Sequence, residues 1–277
     1  MTGFIMVAVD GSRHALQAVN WGTAEALRRR LPLRIVYIAP RREHDPQATR
    51  PESSGLHVLA AAAEHATMLA PDLPISTRLA VGSTTTLAAE AALLLLASDT
   101  TLSGTPGSLI RHTAEHARCP VIIVPPDHDT RPRRREVVVG IDGRTCQDVI
   151  AFAFEEAALR GVGLRAMHAW AQPFDPSVTD PDRYDEATVK RASGTLLSEA
   201  LVGWPTKYPD VPIIEQVTLA DPADALIEDS RTAELVVIGS HRGGRGHGHH
   251  FDTCLGSVGQ TVLRRAQGPI AIARSAH

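Results

Sequence analysis

Residues 7–40 read VAVDGSRHALQAVNWGTAEALRRRLPLRIVYIAP, and residues 137–170 read VVVGIDGRTCQDVIAFAFEEAALRGVGLRAMHAW. Each stretch passes from an apolar run through Asp-Gly and an amphipathic segment to Leu-Arg and a second apolar run. Asp10 matches Asp142 and Leu33 matches Leu164, so the two stretches keep step over a whole βαβ unit. Self-similarity on this scale marks a duplicated structural unit. The match returns later, where Gly107-Ser108 aligns with Gly256-Ser257 and RCPVIIV (Arg118 to Val124) with QGPIAIA (Gln267 to Ala273). The chain therefore divides into a first domain over 1–127, a linker over 128–136 and a second domain over 137–277. The connecting run PPDHDTRPRRRE, residues 125–136, is rich in proline and charge, which suits a linker.

Short, nearly continuous apolar runs lie near 4–9, 33–38, 75–81, 92–97 and 120–124 in the first unit. Runs of this kind suit strands buried on both faces. Ala15, Leu16, Val19 and Leu27 recur at helical spacing, and Ser12 stands where an N-cap belongs. Strands alternating with helices predict an α/β fold of two tandem doubly wound domains. Each would have a five-stranded, mainly parallel sheet flanked by helices, with right-handed crossovers. The final strands, 120–124 and 269–273, would each end at a sheet edge, where an apolar strand invites pairing.

The 277 residues suffice for two domains of ordinary size. With 43% apolar and 21% charged residues, a packed chain is expected rather than a disordered one. A net charge of -3 gives no electrostatic ground for nucleic-acid binding. The arginines of RPRRR (Arg131, Arg133, Arg134, Arg135) read as a solvated connector. Cys119, Cys146 and Cys254 are far apart and form neither a disulfide framework nor a zinc-ligand pairing, which suits a reducing cytoplasm. The start of the chain leads almost directly into FIMVAVD, with no basic region or cleavage site. The longest apolar stretch, Leu87 to Ala97, contains Glu90 and is too short to span a bilayer. A cytoplasmic location with no membrane partner is expected.

In open sheets of this kind, ligands bind beyond the carboxyl ends of the strands, where strand order reverses. Asp10 and Asp142 each stand at the carboxyl end of a first strand. A carboxylate there can accept hydrogen bonds from a ribose hydroxyl or base amine; it can equally close an Asx turn. After the apolar run LVVI comes GSHRGGRGHGHHFDTCLGSV, residues 239–258. Its glycines let successive backbone N–H groups turn toward one anion. Gly256-Ser257-Val258 then opens a helix whose N-terminus attracts negative charge. Together these parts make a phosphate cradle. The same loop carries His241, His247, His249 and His250, with Asp252 and Cys254 nearby. They lack the regular ligand pairs of a structural zinc site, so no metal is expected and the run reads as an exposed connector. His112 and His116 line a helix face. No Ser-His-Asp order, paired carboxylates or metal-hydrolase motif appears, and no catalytic residue is assigned.

The chain resembles a tandem universal stress protein over nearly its whole length. The resemblance is carried by VAVDGS (7–12), VVVGIDG (137–143), LVVIGS (235–240), GSV (256–258) and RCPVIIV (118–124). The ATP-binding branch of that family has a glycine, two residues, a glycine, nine residues, then glycine with serine or threonine. Gly243, Gly246, Gly256 and Ser257 match that spacing. The family's first glycine usually closes the fourth strand, as Gly239 does here, so Gly239 and Gly243 are both candidates.

The resemblance implies an adenine-nucleotide alpha-hydrolase-like fold and ATP as ligand of the second unit. Gly140, Ile141, Asp142 and the backbone near Ala169 would surround ribose and base, and Gly246, Gly256, Ser257 and Val258 would hold phosphates. It further implies a stress-response or regulatory switch, units packed through their final strands, and a homodimer. The first unit departs from the pattern in LLLLASDTTLSGTPGSL, residues 93–109, where Ala97 replaces the closing glycine and the paired-glycine loop is missing. Weak or no ATP binding is expected there, with Val9, Asp10, Ile38, Gly107 and Ser108 as its candidates. Two other readings stay open: an interaction module that works by domain pairing without nucleotide, and a slow ATPase.

Overall fold

The computed structural model describes residues 3–39, 51–81, 88–98, 108–126, 134–171, 186–240 and 255–274. The first half runs β1 (Ile5–Val9), α1 (Ala15–Arg29), β2 (Leu33–Ala39), α2 (Pro51–Leu69), β3 (Ile75–Val81), a 3-10 turn (Ala88–Glu90), β4 (Leu93–Ala97), α3 (Ser108–His116) and β5 (Val121–Val124). The second half runs β6 (Glu136–Gly140), α4 (Gln147–Arg160), β7 (Gly163–Trp170), α5 (Glu186–Ala200), α6 (Trp204–Lys207), β8 (Ile213–Leu219), α7 (Pro222–Ser230), β9 (Leu235–Ser240), α8 (Ser257–Arg265) and β10 (Ile270–Arg274).

The strands form one ten-stranded sheet in the order β3-β2-β1-β4-β5-β10-β9-β6-β7-β8. Each half holds its five strands in the same relative order, and all pairs within a half are parallel. Among the described strands only β5 and β10 run antiparallel, with Ile123 opposite Ile270 and Ile122 opposite Ala271. The α/β architecture is the expected one. The last strand of each half, an edge of its own five, becomes the middle of the joint sheet.

Alternate residues along each strand feed two cores, as a period of two requires. Ile5, Val7, Leu33, Ile35 and Leu95 face the side covered by α1, α2, α4 and α5. Met6, Ala8, Val36, Leu94 and Leu96 face the side covered by α3, α7 and α8. The inward face of α1 differs from the expected one. Leu16 and Leu27 are 40% and 52% exposed, whereas Ala15, Ala18, Val19 and Ala26 are buried. Small residues let the helix lie close on β1: a Cβ on Gly22 would stand 2.2 Å from Val7 Cγ2. Ser12 acts one turn ahead of the helix, its Oγ accepting from Ala15 N–H at 3.2 Å.

Across the junction, α1 and α4 meet through a buried cluster of charges. Arg160 donates to Glu25 at 2.6 Å and to Glu156 at 2.8 Å. Arg29 donates to Glu156, and to Glu155 at 2.7 Å. The guanidinium of Arg160 lies 4.8 Å from the Trp21 ring, and that of Arg29 lies 5.9 Å from the Phe152 ring. Glu25 and Glu156, Arg29 and Arg160, and Trp21 and Phe152 are three pairs of repeat equivalents, so the duplicated sequence meets itself across a pseudo-twofold axis. Burial, and then the like charge of Glu25, push the Glu156 carboxyl above its ordinary value, against the pull of Arg160 and Arg29. Burial draws Arg29 down, but Glu156, Glu155 and Glu25 outweigh it and hold it up. Arg29 thus keeps its charge, and Glu156 is pushed toward its neutral form. Removing one partner of such a network is costly because it leaves a buried charge without compensation.

Candidate functional site

The carboxyl ends of β6 and β9 lie side by side where the chain's connections diverge. The segment leaving β6 runs to α4 on one face of the sheet, and α8, which follows β9, packs on the other. A crevice of about 310 Å³ opens between them. This is the strand-order reversal at which open α/β sheets bind ligands.

The floor of the crevice is apolar: Met167 of β7, Ile238 of β9 and Leu226 of α7 rise from the buried core beneath. Gly140 keeps this floor low, because a Cβ there would stand 3.3 Å from both methyls of Leu226. Asp221 caps α7, its Oδ1 accepting from the N–H groups of Ala223 and Asp224 at 2.9 and 3.1 Å. That cap sets Pro222 at the rim.

One wall is the turn after β6. Ile141 N–H donates to the Met167 carbonyl at 2.8 Å, which carries the ladder one residue past the strand. His168 Nδ1 donates to the Ile141 carbonyl at 2.8 Å; a carbonyl only accepts, so the proton sits on Nδ1. Asp142 Oδ1 then accepts from Arg144 N–H at 3.0 Å and from the Thr145 hydroxyl at 2.8 Å, while Thr145 Oγ1 accepts from Asp142 N–H at 2.9 Å. Asp142 therefore closes an Asx turn and also lines the crevice. In the first half Asp10 closes the same turn, accepting from Ser12 N–H at 2.9 Å.

The facing wall is the start of α8. Gly256 precedes the helix with φ -63° and ψ 173°. The amides of Ser257, Val258 and Gly259 lie in the first turn, where no helical carbonyl is available to them, so this end carries partial positive charge. Leu255 is buried beneath the turn, and Gly259 makes room for it, since a Cβ there would stand 2.7 Å from Leu255 Cδ1.

Of the residues singled out in the sequence, the crevice gathers Gly140, Ile141, Asp142, Ala169, Gly239, Gly256, Ser257 and Val258. Gly243, Gly246 and the histidine run lie outside the described residues. In the first half Val9 is buried at the end of β1, Asp10 is exposed, Ile38 is half-buried in β2 and Ser108 opens α3; Gly107 lies outside the described residues. Arg144, Thr145, Met167, Pro222, Leu226, Ile238 and Gly259 also line the crevice. Met167 could have been found from strand alternation, two residues before Ala169. Pro222 and Leu226 come from a helix that carries no motif. Among the described residues, no three His, Cys, Asp or Glu side chains are grouped to hold a metal, and no helix is long and apolar enough to cross a membrane.

The sequence model described as the universal stress protein family matches residues 1–125 and 133–274. The chain is 32% identical to the universal stress protein Rv2005c of Mycobacterium tuberculosis, covering 98% of this chain and 96% of the relative. It is 31% identical to the universal stress protein Rv2623 of the same organism, with the same coverage. Among solved structures, a universal stress protein from Archaeoglobus fulgidus matches with a TM-score of 0.66 at 13% identity, covering 98% of this chain and 96% of that one. That likeness is one of fold.

Proposed function

The chain belongs to the universal stress protein family, and from that premise we propose that its second half binds ATP in the crevice and works as a nucleotide-dependent regulatory switch. The supporting observation is the make-up of the crevice: an apolar floor, a carboxylate on one wall and a helix N-terminus on the other. In this reading Met167, Leu226 and Ile238 take the flat face of the base. Asp142 accepts from a ribose hydroxyl, with the backbone of Gly140, Ile141 and Ala169 beside the base. The Ser257 hydroxyl and the first amides of α8 hold phosphate oxygens. Gly239 gives the backbone close approach, and Gly243 and Gly246 would extend the phosphate contacts. The roles assigned to these residues are binding roles, and a slow ATPase stays open as the alternative. The first half, with its shorter loop, binds ATP weakly or not at all. The reading includes a cytoplasmic homodimer.

Calorimetric titration with ATP tests it. Gly256 has a backbone conformation open to any residue, and a Cβ there meets nothing within 4 Å. Gly256→Leu should therefore fold normally and lose ATP binding, while Gly107→Leu should keep it. Equal losses at both positions would sink the asymmetry. An unaltered chain that binds no nucleotide would leave domain pairing as the function.

A further inference from the structure

The geometry points to Arg144 as the side chain through which the crevice reads ligand charge, favouring nucleotides with more than one phosphate; this rests on the nucleotide reading above. The two repeats differ at this position. In the first half it is Ser12, which has two structural tasks: its N–H bonds Asp10 Oδ1 at 2.9 Å and its hydroxyl caps Ala15 N–H at 3.2 Å. In the second half only the first task is kept at this position. The Arg144 N–H takes the bond to Asp142 Oδ1 at 3.0 Å, the Thr145 hydroxyl closes the turn on Asp142, and the helix that follows has no side-chain cap. Position 144 keeps its backbone role, and its side chain is released from the turn.

That side chain is exposed and lines the crevice. Its guanidinium makes no hydrogen bond or ion pair among the described residues, unlike those of Arg160, Arg165 and Arg265, which are held by Glu25, Glu136 and Asp224. Among the described residues that line the crevice, Asp142 and Arg144 are the charged side chains, and Asp142 Oδ1 is turned toward the Arg144 amide and the Thr145 hydroxyl. The two charges offset in number, and two groups are left to meet a phosphate: the guanidinium beside one wall and the amino end of α8 on the other. A neutral nucleoside uses neither. A single phosphate on the α8 amides leaves the guanidinium without a partner. A di- or triphosphate supplies further oxygens for a planar fork that grips phosphate by two parallel hydrogen bonds.

The test is calorimetry with adenosine, AMP, ADP and ATP on the unaltered chain, Arg144→Ser and Arg144→Lys, at low and high salt. Arg144→Ser restores the residue of the first half, so its unfolding midpoint should match the parent. It should lose ATP affinity on the order of tenfold, the scale of one charge-assisted contact, and leave adenosine and AMP unchanged. Arg144→Lys should recover part of the loss, and the salt dependence of ATP binding should flatten in Arg144→Ser. Unchanged ATP affinity in Arg144→Ser overturns the inference while the nucleotide reading stands. So does an equal loss across all four ligands, which would mean that the side chain shapes the crevice and does not read charge. An unaltered chain that binds none of the four overturns both.

Discussion

Asp142 uses one oxygen for the turn, and the two duties proposed for it can be separated by substitution. Asn keeps an acceptor for the Arg144 amide and the Thr145 hydroxyl but removes the charge. Asp142→Asn should therefore unfold in urea within about 0.5 kcal/mol of the parent and lose nucleotide affinity. Asp142→Ala should lose the turn as well, at about 1 kcal/mol. If both variants unfold alike, the Asx turn contributes nothing. Cys119 allows a prediction with a definite sign. Burial pushes its thiol from 9.0 up to about 11, against its own backbone hydrogen bond and nearby Arg274. Below pH ~9 folded and unfolded chains both keep the proton, and this group adds no pH dependence. Between about 9 and 11 the unfolded thiol ionises and the folded one does not, so stability falls as pH rises, by at most about 1.4 kcal/mol per pH unit. Replacing Cys119 with Ala should flatten that alkaline slope; identical slopes in parent and variant would contradict it.

Helices α1 and α4 show what local pattern leaves out. The spacing of Leu16 and Leu27 suggests an apolar face, yet the face that turned inward is the one that packs closest, through Gly22 over Val7. The charges Glu25, Arg29, Glu156 and Arg160 look in the sequence like solvated i, i+4 pairs. Only their partners across the junction make them a buried network. Charge exchange tests this. Glu156→Arg with Arg160→Glu keeps the pair within α4 but sets like charges against α1. It should cost about 3–5 kcal/mol, as breaking a buried pair does. Adding Glu25→Arg with Arg29→Glu restores the crossed pairs and should recover most of that loss in denaturant titration. No recovery would mean that the helices are held by shape alone.

The joint sheet makes the two halves a single object at β5 and β10. Ile122 is fully buried there, opposite Ala271. Ile122→Asp should place an uncompensated carboxyl in that seam and cost more than about 2 kcal/mol. It should also split urea unfolding into separate transitions for the two halves; one transition of parental stability would show that the seam is dispensable. How much of this molecule could be read in its sequence follows from the range of the interactions. Strand alternation, the Asp-Gly turns at Asp10 and Asp142, and the helix opened by Gly256-Ser257 depend on neighbours a few residues away. Duplication then marks which of them recur, so the α/β class and the strand positions are legible there, and the family resemblance adds eight residues that line the crevice. Other features depend on atoms brought together from far along the chain. The antiparallel seam is one, and so are the floor supplied by Leu226, the inward turn of α1 on Gly22, and the burial of Glu25 and Glu156. Periodicity tells a side chain which way to face, but not what it will meet. That partner sets the energy of a buried charge or a close packing contact, and it exists only once the chain has folded.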